Sequence, residues 1–222
     1  MMEEHLSDLY GRRFGDSLSF RKTMWKVLCE DFFQAFVPDS STVLEVGAGY
    51  CEFINHIRAA RRIALDLNPD TPRHAAPGVF VVTAPSHDAP SIETGSADRA
   101  FASNFFEHLS RDAILLTLKE IHRILRPGGQ LLILQPNIRY CYRDYWMFFD
   151  HVTPLDDRSL GEALHVTGFR LVHLVPRFLP FTTQGRLPNS ILLLRAYLRI
   201  PLLWRIFGAQ SFLVAEATPF DA

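Results

Sequence analysis

The stretch VLEVGAGYC (43–51) leads from a short apolar strand into a Gly-Ala-Gly turn. Glycines at 47 and 49 let the backbone turn tightly and approach a ligand closely, because neither projects a side chain. A helix is predicted to follow over about 51–60, and the amide groups at its start can face a ligand carboxylate or another polar group. The turn therefore predicts a binding site for a nucleotide-like cofactor.

Charged residues around this turn narrow the choice of cofactor. A dinucleotide fingerprint needs G-x-G-x-x-G, and counting from Gly47 puts Glu52 where the third glycine should be. Glu45, directly before the turn, would also repel a diphosphate but would suit a cation. Asp66 ends the second predicted strand, where a carboxylate can accept hydrogen bonds from both ribose hydroxyls. A ligand with a ribose, a positive centre and no phosphate fits better than a dinucleotide.

Outward from the turn, short apolar strands alternate with helical stretches. Such alternation indicates parallel crossover units in an open α/β sheet. Buried central strands should be continuously apolar, as these are. The predicted strands are 42–46, 63–67, 79–83, 98–103, 130–135, 169–175 and 211–217, and the predicted helices are 5–37, 51–60, 112–125 and 157–167, the last capped by Asp156.

Size and charge exclude several classes of protein. The chain has 222 residues, 48% hydrophobic and 21% charged, which predicts one globular domain and excludes global disorder. The 23 Lys and Arg residues nearly balance the 24 Asp and Glu residues, giving a net charge of −1. Because no overall positive field exists to hold a phosphate backbone, nucleic acid is an unlikely partner.

Cysteine usage and hydropathy give the expected compartment. The three cysteines (Cys29, Cys51 and Cys141) are widely spaced and include no CxxC pair, so no metal site is predicted and free thiols in a reducing cytoplasm are expected. The N-terminus lacks the apolar core of a secretory signal. No segment reaches the roughly 18 uninterrupted apolar residues that a membrane-spanning helix needs. A soluble cytoplasmic protein is expected.

Four motifs in order carry a resemblance to a known family: EVGAGYC (45–51), ALDLNP (64–69), ADRAFASNFFEHL (97–109) and LKEIHRILRPGGQLLIL (118–134). With them, the chain resembles a class I S-adenosylmethionine-dependent methyltransferase over roughly residues 40–175. The resemblance implies a seven-stranded, mostly parallel Rossmann-like sheet with helices on both faces and an antiparallel last strand. It also implies S-adenosylmethionine as the cofactor.

The family pattern implies a role for each matching residue. The methionine end of the cofactor would be lined by Glu45, Gly47, Ala48, Gly49 and Tyr50, and its ribose by Asp66 and Leu67. Ser86, His87 or Asp88 would lie beside the adenine, and the sequence does not choose among them. Asn104 and Phe105, at the end of the fourth strand, would lie beneath the sulfonium. One departure is Cys51, which occupies the third small position of the glycine motif.

Two histidines are candidates for catalysis. Methyl transfer needs a base where the acceptor keeps a proton, and histidine titrates near neutral pH. His108 follows the fourth strand and His151 follows the aromatic stretch 140–149; either histidine could instead cap a helix or fill a wall. That aromatic stretch could line an acceptor pocket or belong to the core, and both interpretations stay open.

Outside the predicted core, an N-terminal and a C-terminal segment carry further predictions. Residues 1–38 are predicted to form a helical segment in which Tyr10, Arg13 and Phe14 could fold over the cofactor as a lid. After the cofactor-binding core at 40–175 comes a helical insertion at 176–210, and 211–222 hold the last strand and tail. No acidic residue lies between Glu162 and Glu216.

Within the insertion, Arg195 and Arg199 share a helical face, and Pro201 should kink or end the helix over 187–208. This helix could contact a membrane surface, recognise a phosphate-bearing acceptor, or pack on the domain or on a second subunit. Packing is the favoured interpretation, and a homodimer follows as a further prediction.

The function predicted from these features is S-adenosylmethionine-dependent methyl transfer to oxygen or nitrogen of a small or medium organic acceptor. Sugars, glycan precursors, lipid-linked compounds and natural products are the classes considered. The alternatives are a nucleic-acid methyltransferase and a non-catalytic binding subunit that activates a partner.

Overall fold

A seven-stranded sheet forms the centre of the computed structural model, which describes residues 18–181 and 190–219. Its strand order is β3-β2-β1-β4-β5-β7-β6. All seven strands were predicted from the alternating apolar pattern. They are β1 (Thr42–Val46), β2 (Arg61–Asp66), β3 (Val79–Thr83), β4 (Ala97–Ser103), β5 (Leu125–Pro136), β6 (Phe169–Val175) and β7 (Gln210–Ala217).

Strand direction agrees with the predicted fold class. The pairs β2–β3, β1–β2, β1–β4 and β4–β5 are parallel, whereas β7 is antiparallel to both β5 and β6. Six strands therefore run one way and the last strand runs the other way. The Rossmann-like sheet with an antiparallel last strand is confirmed.

Helices cover both faces of this sheet, because each face is apolar and must be removed from water. On one face pack α3 (Arg111–Ile124) and α5 (Asp157–Val166), and on the other α1 (Leu18–Asp31) and α6 (Ile191–Arg199). Asp156 caps α5 as predicted, accepting hydrogen bonds from the backbone N–H groups of Arg158 and Ser159. The remaining helices are α2 (Thr71–His74), α4 (Ile138–Cys141) and α7 (Pro201–Phe207), with 3-10 turns at Phe33–Phe36, Phe106–His108 and Tyr145–Met147.

The α1 side of the sheet is packed largely with phenylalanine, which accounts for much of the chain's 18 copies. The rings of Phe53 and Phe101 stack at a centroid distance of 3.8 Å, and those of Phe32 and Phe178 at 4.2 Å. Aromatic rings bury large areas and pack edge-to-face or offset. This core fixes the positions of α1 and the first strand, and hence of the glycine turn that follows that strand.

The predicted helix over 51–60 is wrong: residues 51–56 form successive hydrogen-bonded turns, and residues 57–60 have no regular secondary structure. Cys51 has φ of 56°, a left-handed conformation that interrupts a right-handed helix at its start. The backbone N–H of Ile54 donates to the side chain of Glu45 at 3.0 Å instead of to a helical carbonyl. Single hydrogen bonds of the helical i to i−4 type are present, such as the one from the N–H of Ile57 to the carbonyl of Phe53 at 3.0 Å.

Each of the two long helices predicted near the ends of the chain is divided into shorter elements. The first is helical from Leu18 to Asp31 and then forms a separate 3-10 turn, while Tyr10, Arg13 and Phe14 lie outside the described residues. The second divides into α6 and α7 at Pro201, as predicted. No helix within residues 18–181 and 190–219 is long and apolar enough to cross a membrane.

Candidate active site

The candidate site lies where the strand order reverses, between β1 and β4. These strands are hydrogen-bonded neighbours in parallel register, with Val46 beside Ala102. Their carboxyl ends are continued by the glycine turn and by Asn104, whose φ of 48° bends the chain away from the sheet. Open α/β sheets bind their ligands at such a switch point, in the crevice outside the carboxyl ends of the strands.

Gly47 is required where it stands for two reasons. Its φ is +69°, and a Cβ added there would lie 2.3 Å from Cδ2 of Phe105. The Phe105 ring therefore packs directly against the turn, which places two sequence-predicted residues from adjacent strands in contact. Hydrogen bonds from the N–H groups of Gly47 and Ala48 to the carbonyl of Leu65 (2.9 and 3.3 Å) tie the turn to β2.

Asp66, at the end of β2, organises the adjoining loops. Its Oδ2 accepts from the N–H of Gly49 at 2.6 Å, and its Oδ1 accepts from the N–H of Asn68 at 2.7 Å. Burial raises the pKa of this carboxyl, and the backbone donors oppose the rise. A carboxylate offers about four acceptor positions, so about two remain for ligand hydroxyls. Leu67 beside it is 39% exposed and open to contact.

Glu45 lies beneath the turn and is buried. Its pKa is raised well above the usual range because burial penalises the charged form, although the N–H of Ile54 favours that form. Cys51 is buried as well, with Sγ 3.8 Å from the carbonyl oxygen of Thr71. Burial raises the pKa of this thiol to about 12, so it behaves as a small apolar side chain.

Helix α1 is joined to the turn region by an ion pair. Nε of Arg21 donates to Oε1 of Glu52 at 3.0 Å, and a second guanidinium nitrogen of Arg21 binds the other carboxylate oxygen. Tyr50 packs edge-on against His74 at a ring distance of 4.6 Å. Burial raises the pKa of Tyr50, with Glu52 adding to the effect. The Glu52 side chain is therefore bound by Arg21. It stands at the position where a dinucleotide-binding fold has its third glycine.

The three adenine candidates differ in their surroundings. The Ser86 hydroxyl is 2.8 Å from that of Thr117 on α3, whereas His87 and Asp88 are exposed after β3. Ser86 is thus turned toward a helix, and the other two face solvent. All three follow β3, on the far side of Asp66 from the switch point. The choice among them stays a prediction, as does each cofactor contact assigned above.

The predicted catalytic histidines converge, and a third residue joins them. Glu107, His108 and His151 each offer a ligand atom, and these atoms lie within 4.8 Å of one another. The two imidazole rings are 5.1 Å apart. Burial raises the pKa of the Glu107 carboxyl, which accepts a hydrogen bond from Gln135 at 2.9 Å. The 3-10 turn Phe106–His108 places this cluster directly after Phe105, beyond the end of β4.

The aromatic stretch divides between the two interpretations left open by the sequence. Tyr145 is fully buried, and its hydroxyl donates to the carbonyl of Thr153 at 2.5 Å. Phe148 is half-buried and packs 5.1 Å from the His151 ring. Tyr140 is also half-buried, with the guanidinium of Arg177 4.7 Å from its ring centroid. The remaining large apolar side chains are exposed; they are Tyr142, Trp146, Met147 and Phe149, the last 93% exposed. One ring is therefore core, two are half-buried, and the others are open to contact.

Sequence reasoning missed Glu107, Gln135 and Asp150. The signal for Glu107 was its position directly before His108, but its partner His151 is more than 40 residues away and no fixed spacing links them. Gln135 lies on β5, in what reads as a purely apolar strand. Asp150 binds His108 through its backbone carbonyl, a contact that no side-chain pattern encodes.

The acidic residues around the turn fit a cofactor that has a ribose and no diphosphate. Asp66 retains acceptor capacity for ribose hydroxyls. Glu52 stands at the third glycine position of a dinucleotide fingerprint and is bound by Arg21, so its side chain occupies the place where a pyrophosphate would approach the backbone. These residues therefore agree with S-adenosylmethionine better than with a dinucleotide.

Several solved structures share this fold. A SAM-dependent methyltransferase from Archaeoglobus fulgidus is 21% identical with a TM-score of 0.67, covering 95% of this chain and 99% of its own. A possible histamine N-methyltransferase from Thermotoga maritima is 17% identical with a TM-score of 0.67 and 97% coverage of both chains. Geranyl diphosphate C-methyltransferase from Streptomyces coelicolor is 14% identical with a TM-score of 0.61, covering 88% of this chain and 77% of its own.

A search of curated proteins by sequence found no match. The family model described as a methyltransferase domain, however, matches residues 19–174, from α1 to the end of β6. That range includes the glycine turn, Asp66, Asn104 and the histidine cluster. With the seven-stranded sheet and its site at the switch point, the match shows that the chain belongs to the class I methyltransferase family, as an enzyme that uses S-adenosylmethionine.

Proposed function

We propose that this enzyme methylates oxygen or nitrogen of a small or medium organic acceptor, in the class of sugars, glycan precursors, lipid-linked compounds or natural products. The observation that carries the proposal is the cluster of His108, His151 and Glu107 one short turn beyond Asn104. The buried ring of Tyr145 and the half-buried ring of Phe148 pack against His151. Polar groups set in an aromatic surface suit an organic ligand that presents an O–H or N–H.

When bound, S-adenosylmethionine supplies a methyl group made electrophilic by its sulfonium. The side chains that would hold it are Asp66 at the ribose and the residues of the glycine turn at the methionine end. Phe105 and Asn104 would then separate the cofactor from the acceptor cluster. Because the displacement is in line, orienting the acceptor and excluding water supply much of the acceleration.

The histidine cluster is suited to stabilising a deprotonating acceptor. Nδ1 of His108 is 3.0 Å from the backbone carbonyl oxygen of Asp150, which fixes the ring and leaves Nε2 directed at the cluster. His151 is 8% exposed and packs against Tyr145 at 4.7 Å, so its ring is also held. Immobilised imidazoles of this kind can assist loss of a proton from a hydroxyl or amine.

Charge argues against a nucleic-acid acceptor. The chain carries a net charge of −1, the cluster itself contains Glu107, and Asp150 lies beside His108. A flipped base would need a cationic groove around it. The acceptor atom is tested separately, because the structurally similar enzymes include one named an N-methyltransferase and one named a C-methyltransferase.

The first experiment separates cofactor binding from turnover. Calorimetric titration with S-adenosylhomocysteine should show binding to the wild type and a loss of about 10-fold or more in Asp66→Ala, since a charge-assisted hydrogen bond contributes about 1.5–3 kcal/mol. Asp112→Ala, an exposed aspartate on α3, is the matched control and should bind normally. Unchanged affinity in Asp66→Ala would reject the ribose assignment.

The second experiment identifies the acceptor class. The enzyme is incubated with a methyl-labelled donor and separate panels of phenols, sugars and amines, with tRNA and duplex DNA in parallel. Label should appear on oxygen or nitrogen of a small acceptor, and His151→Ala should lower kcat about 100-fold or more without changing cofactor affinity. His165→Ala, on the exposed side of α5, should have no effect. Label confined to nucleic acid, or to carbon, would overturn the proposal.

Helices α6 and α7, in the predicted insertion 176–210, bear on the proposal of a lipid-linked acceptor. Helix α6 packs on α1, with Nε of Arg195 3.3 Å from Asp31, as the favoured packing interpretation expects. Apolar side chains nevertheless remain exposed on α6 and α7, among them Leu192 at 81% and Leu202 at 63%. They support peripheral contact with a membrane or a lipid-linked acceptor, which sedimentation with anionic and neutral vesicles tests. The homodimer and the cytoplasmic location stay predictions.

A further inference from the structure

Three side chains on the acceptor side of the site are arranged like the ligands of a metal ion. Nε2 of His108 lies 3.9 Å from Oε1 of Glu107, and a nitrogen of His151 completes a group within 4.8 Å. Ligands at about 2.1 Å from a tetrahedral ion such as Zn²⁺ lie about 3.4 Å apart. The group therefore needs only small side-chain rotations to enclose one ion.

The other polar atom of two of these side chains is already held by the protein. Nδ1 of His108 is 3.0 Å from the carbonyl oxygen of Asp150 and 3.4 Å from its carboxylate. Oε2 of Glu107 accepts from Nε2 of Gln135 at 2.9 Å. Metal-binding histidines and carboxylates are characteristically oriented by such contacts to carbonyl, carboxylate or amide groups. Nε2 of His108 and Oε1 of Glu107 are thereby left facing each other.

Backbone hydrogen bonds hold the two segments that carry the ligands together. The N–H groups of Val152 and Thr153 both donate to the carbonyl of Glu107, at 2.8 and 3.1 Å. The hydroxyl of Thr153 donates to the carbonyl of Leu109 at 2.6 Å. These bonds fix His151 beside the turn that presents His108. The ligand group is thus preorganised, although its members are far apart in the sequence.

Burial of Glu107 also favours a cation. Its side chain is 1% exposed, and within residues 18–181 and 190–219 the one basic side chain within 4 Å of its carboxylate is His108. Oε1 of Gln135 is buried without a hydrogen-bond partner among those residues. Buried carboxylates are paired or coordinate metals, and a metal-bound water would supply a donor for such an amide oxygen.

We propose that Glu107, His108 and His151 bind one first-row divalent transition metal ion, for which Zn²⁺ is the best probe. Imidazole and carboxylate suit such ions, and three protein ligands leave positions open for an acceptor. The ion-binding site stands on the geometry alone, but its role rests on the proposed function. With the ion bound, the two imidazoles would act as ligands in place of bases, and a coordinated acceptor hydroxyl would release its proton to solvent more readily because the cation stabilises the resulting oxyanion.

The test is metal binding by the full chain, with any affinity tag removed and the protein first stripped with EDTA. Calorimetry with Zn²⁺ should give one site per chain, a raised Tm, and binding of Co²⁺ with a visible ligand-field spectrum. Mg²⁺ should bind far more weakly, because two imidazole ligands disfavour a hard cation. Absence of a stoichiometric Zn²⁺ site in the wild type would overturn the proposal.

Variants assign the site to these residues. Glu107→Gln, which keeps the side-chain shape, and His151→Ala should each weaken Zn²⁺ binding by more than about 100-fold, and Gln135→Leu by about 10- to 100-fold. His165→Ala, an exposed histidine on α5, should bind Zn²⁺ like the wild type. Circular dichroism of the metal-free variants checks that each has folded. Equal Zn²⁺ affinity in Glu107→Gln and the wild type would also overturn the proposal.

Failure of the metal site and failure of the proposed function give different results. Zn²⁺ binding is measured without an acceptor, and methyl transfer is measured with the acceptor panels. Methylation of oxygen or nitrogen that EDTA does not affect, in a protein without the Zn²⁺ site, would reject the site alone. A Zn²⁺ site in an enzyme that labels only carbon or nucleic acid would reject the proposed function alone.

Discussion

The contact between Gly47 and Phe105 makes a sharp prediction about the glycine turn. Gly47→Ala would place a methyl group 2.3 Å from Cδ2 of Phe105, at a φ of +69°. Gly95 provides a matched control, because its φ is +67° and a Cβ there would have no heavy atom within 4 Å. Both substitutions carry the same backbone strain, and only one adds a steric clash.

The magnitudes follow from these two terms. Left-handed conformation costs an alanine about 1–2 kcal/mol, which for a chain of this size lowers Tm by about 2–8 °C. Gly47→Ala adds the displacement of the Phe105 ring, and overpacking of this kind costs about 1–3 kcal/mol more. We therefore expect a fall of about 4–20 °C for Gly47→Ala, together with weaker binding of S-adenosylhomocysteine. Gly95→Ala should leave that binding unchanged.

Differential scanning calorimetry and ligand titration measure both effects. A Phe105→Ala background removes the ring, so Gly47→Ala in that background should cost no more than Gly95→Ala. Equal Tm values for the two single glycine variants would refute the contact. If Gly47→Ala lowered Tm by the same amount in the Phe105→Ala background as in the wild type, an atom other than those of the Phe105 ring would have to occupy the space.

Three further predictions follow from burial and pairing. Because the pKa of Glu45 is raised, the folded state keeps a proton that the unfolded state loses above pH about 4.3. The free energy of unfolding should therefore fall as the pH rises above about 4.3. Tm measured against pH should show this fall in the wild type, and Glu45→Gln should remove the contribution of this group. Cys51 and Cys141 should react slowly with Ellman's reagent at pH 8 in the native protein and fully in denaturant. A pKa of about 12 leaves each of these thiols with a thiolate fraction of about 10⁻⁴ at that pH. Rapid reaction of the native protein would contradict their burial. Arg21→Ala should lower Tm by about 2–4 °C through loss of its partly buried pair with Glu52, whereas the exposed neighbour Lys22→Ala should not change Tm.

Local sequence determined the elements of the fold because their signals are local. Continuous apolar runs such as 130–135 and 42–46 predict buried parallel strands, and a capping residue such as Asp156 predicts a helix start. The exception is the absent helix over 51–60, which is prevented by one side-chain hydrogen bond and one backbone conformation. The Glu45 side chain takes the N–H of Ile54, and Cys51 adopts a left-handed conformation, neither of which a helical periodicity can reveal.

The two halves of the site differ in the same way. The cofactor half is predicted from residues close in sequence, since Gly47, Gly49 and Asp66 lie within 20 residues, and their contacts with the cofactor stay predictions. The acceptor half was not. His108 and His151 were predicted singly, but their meeting with Glu107 depends on backbone hydrogen bonds between two distant segments.

The sequence by itself thus determined the sheet, the helices that cover it and the residue types at the cofactor end, because each is encoded in a short stretch of chain. Tertiary structure alone decided which of the aromatic rings are core and which are exposed. It also decided that Gln135, from an apolar strand, orients a buried carboxylate beside two histidines. These features depend on packing, because the burial and the hydrogen bonds of a side chain are set by residues that are distant in sequence. The residue type alone does not specify which residues those are.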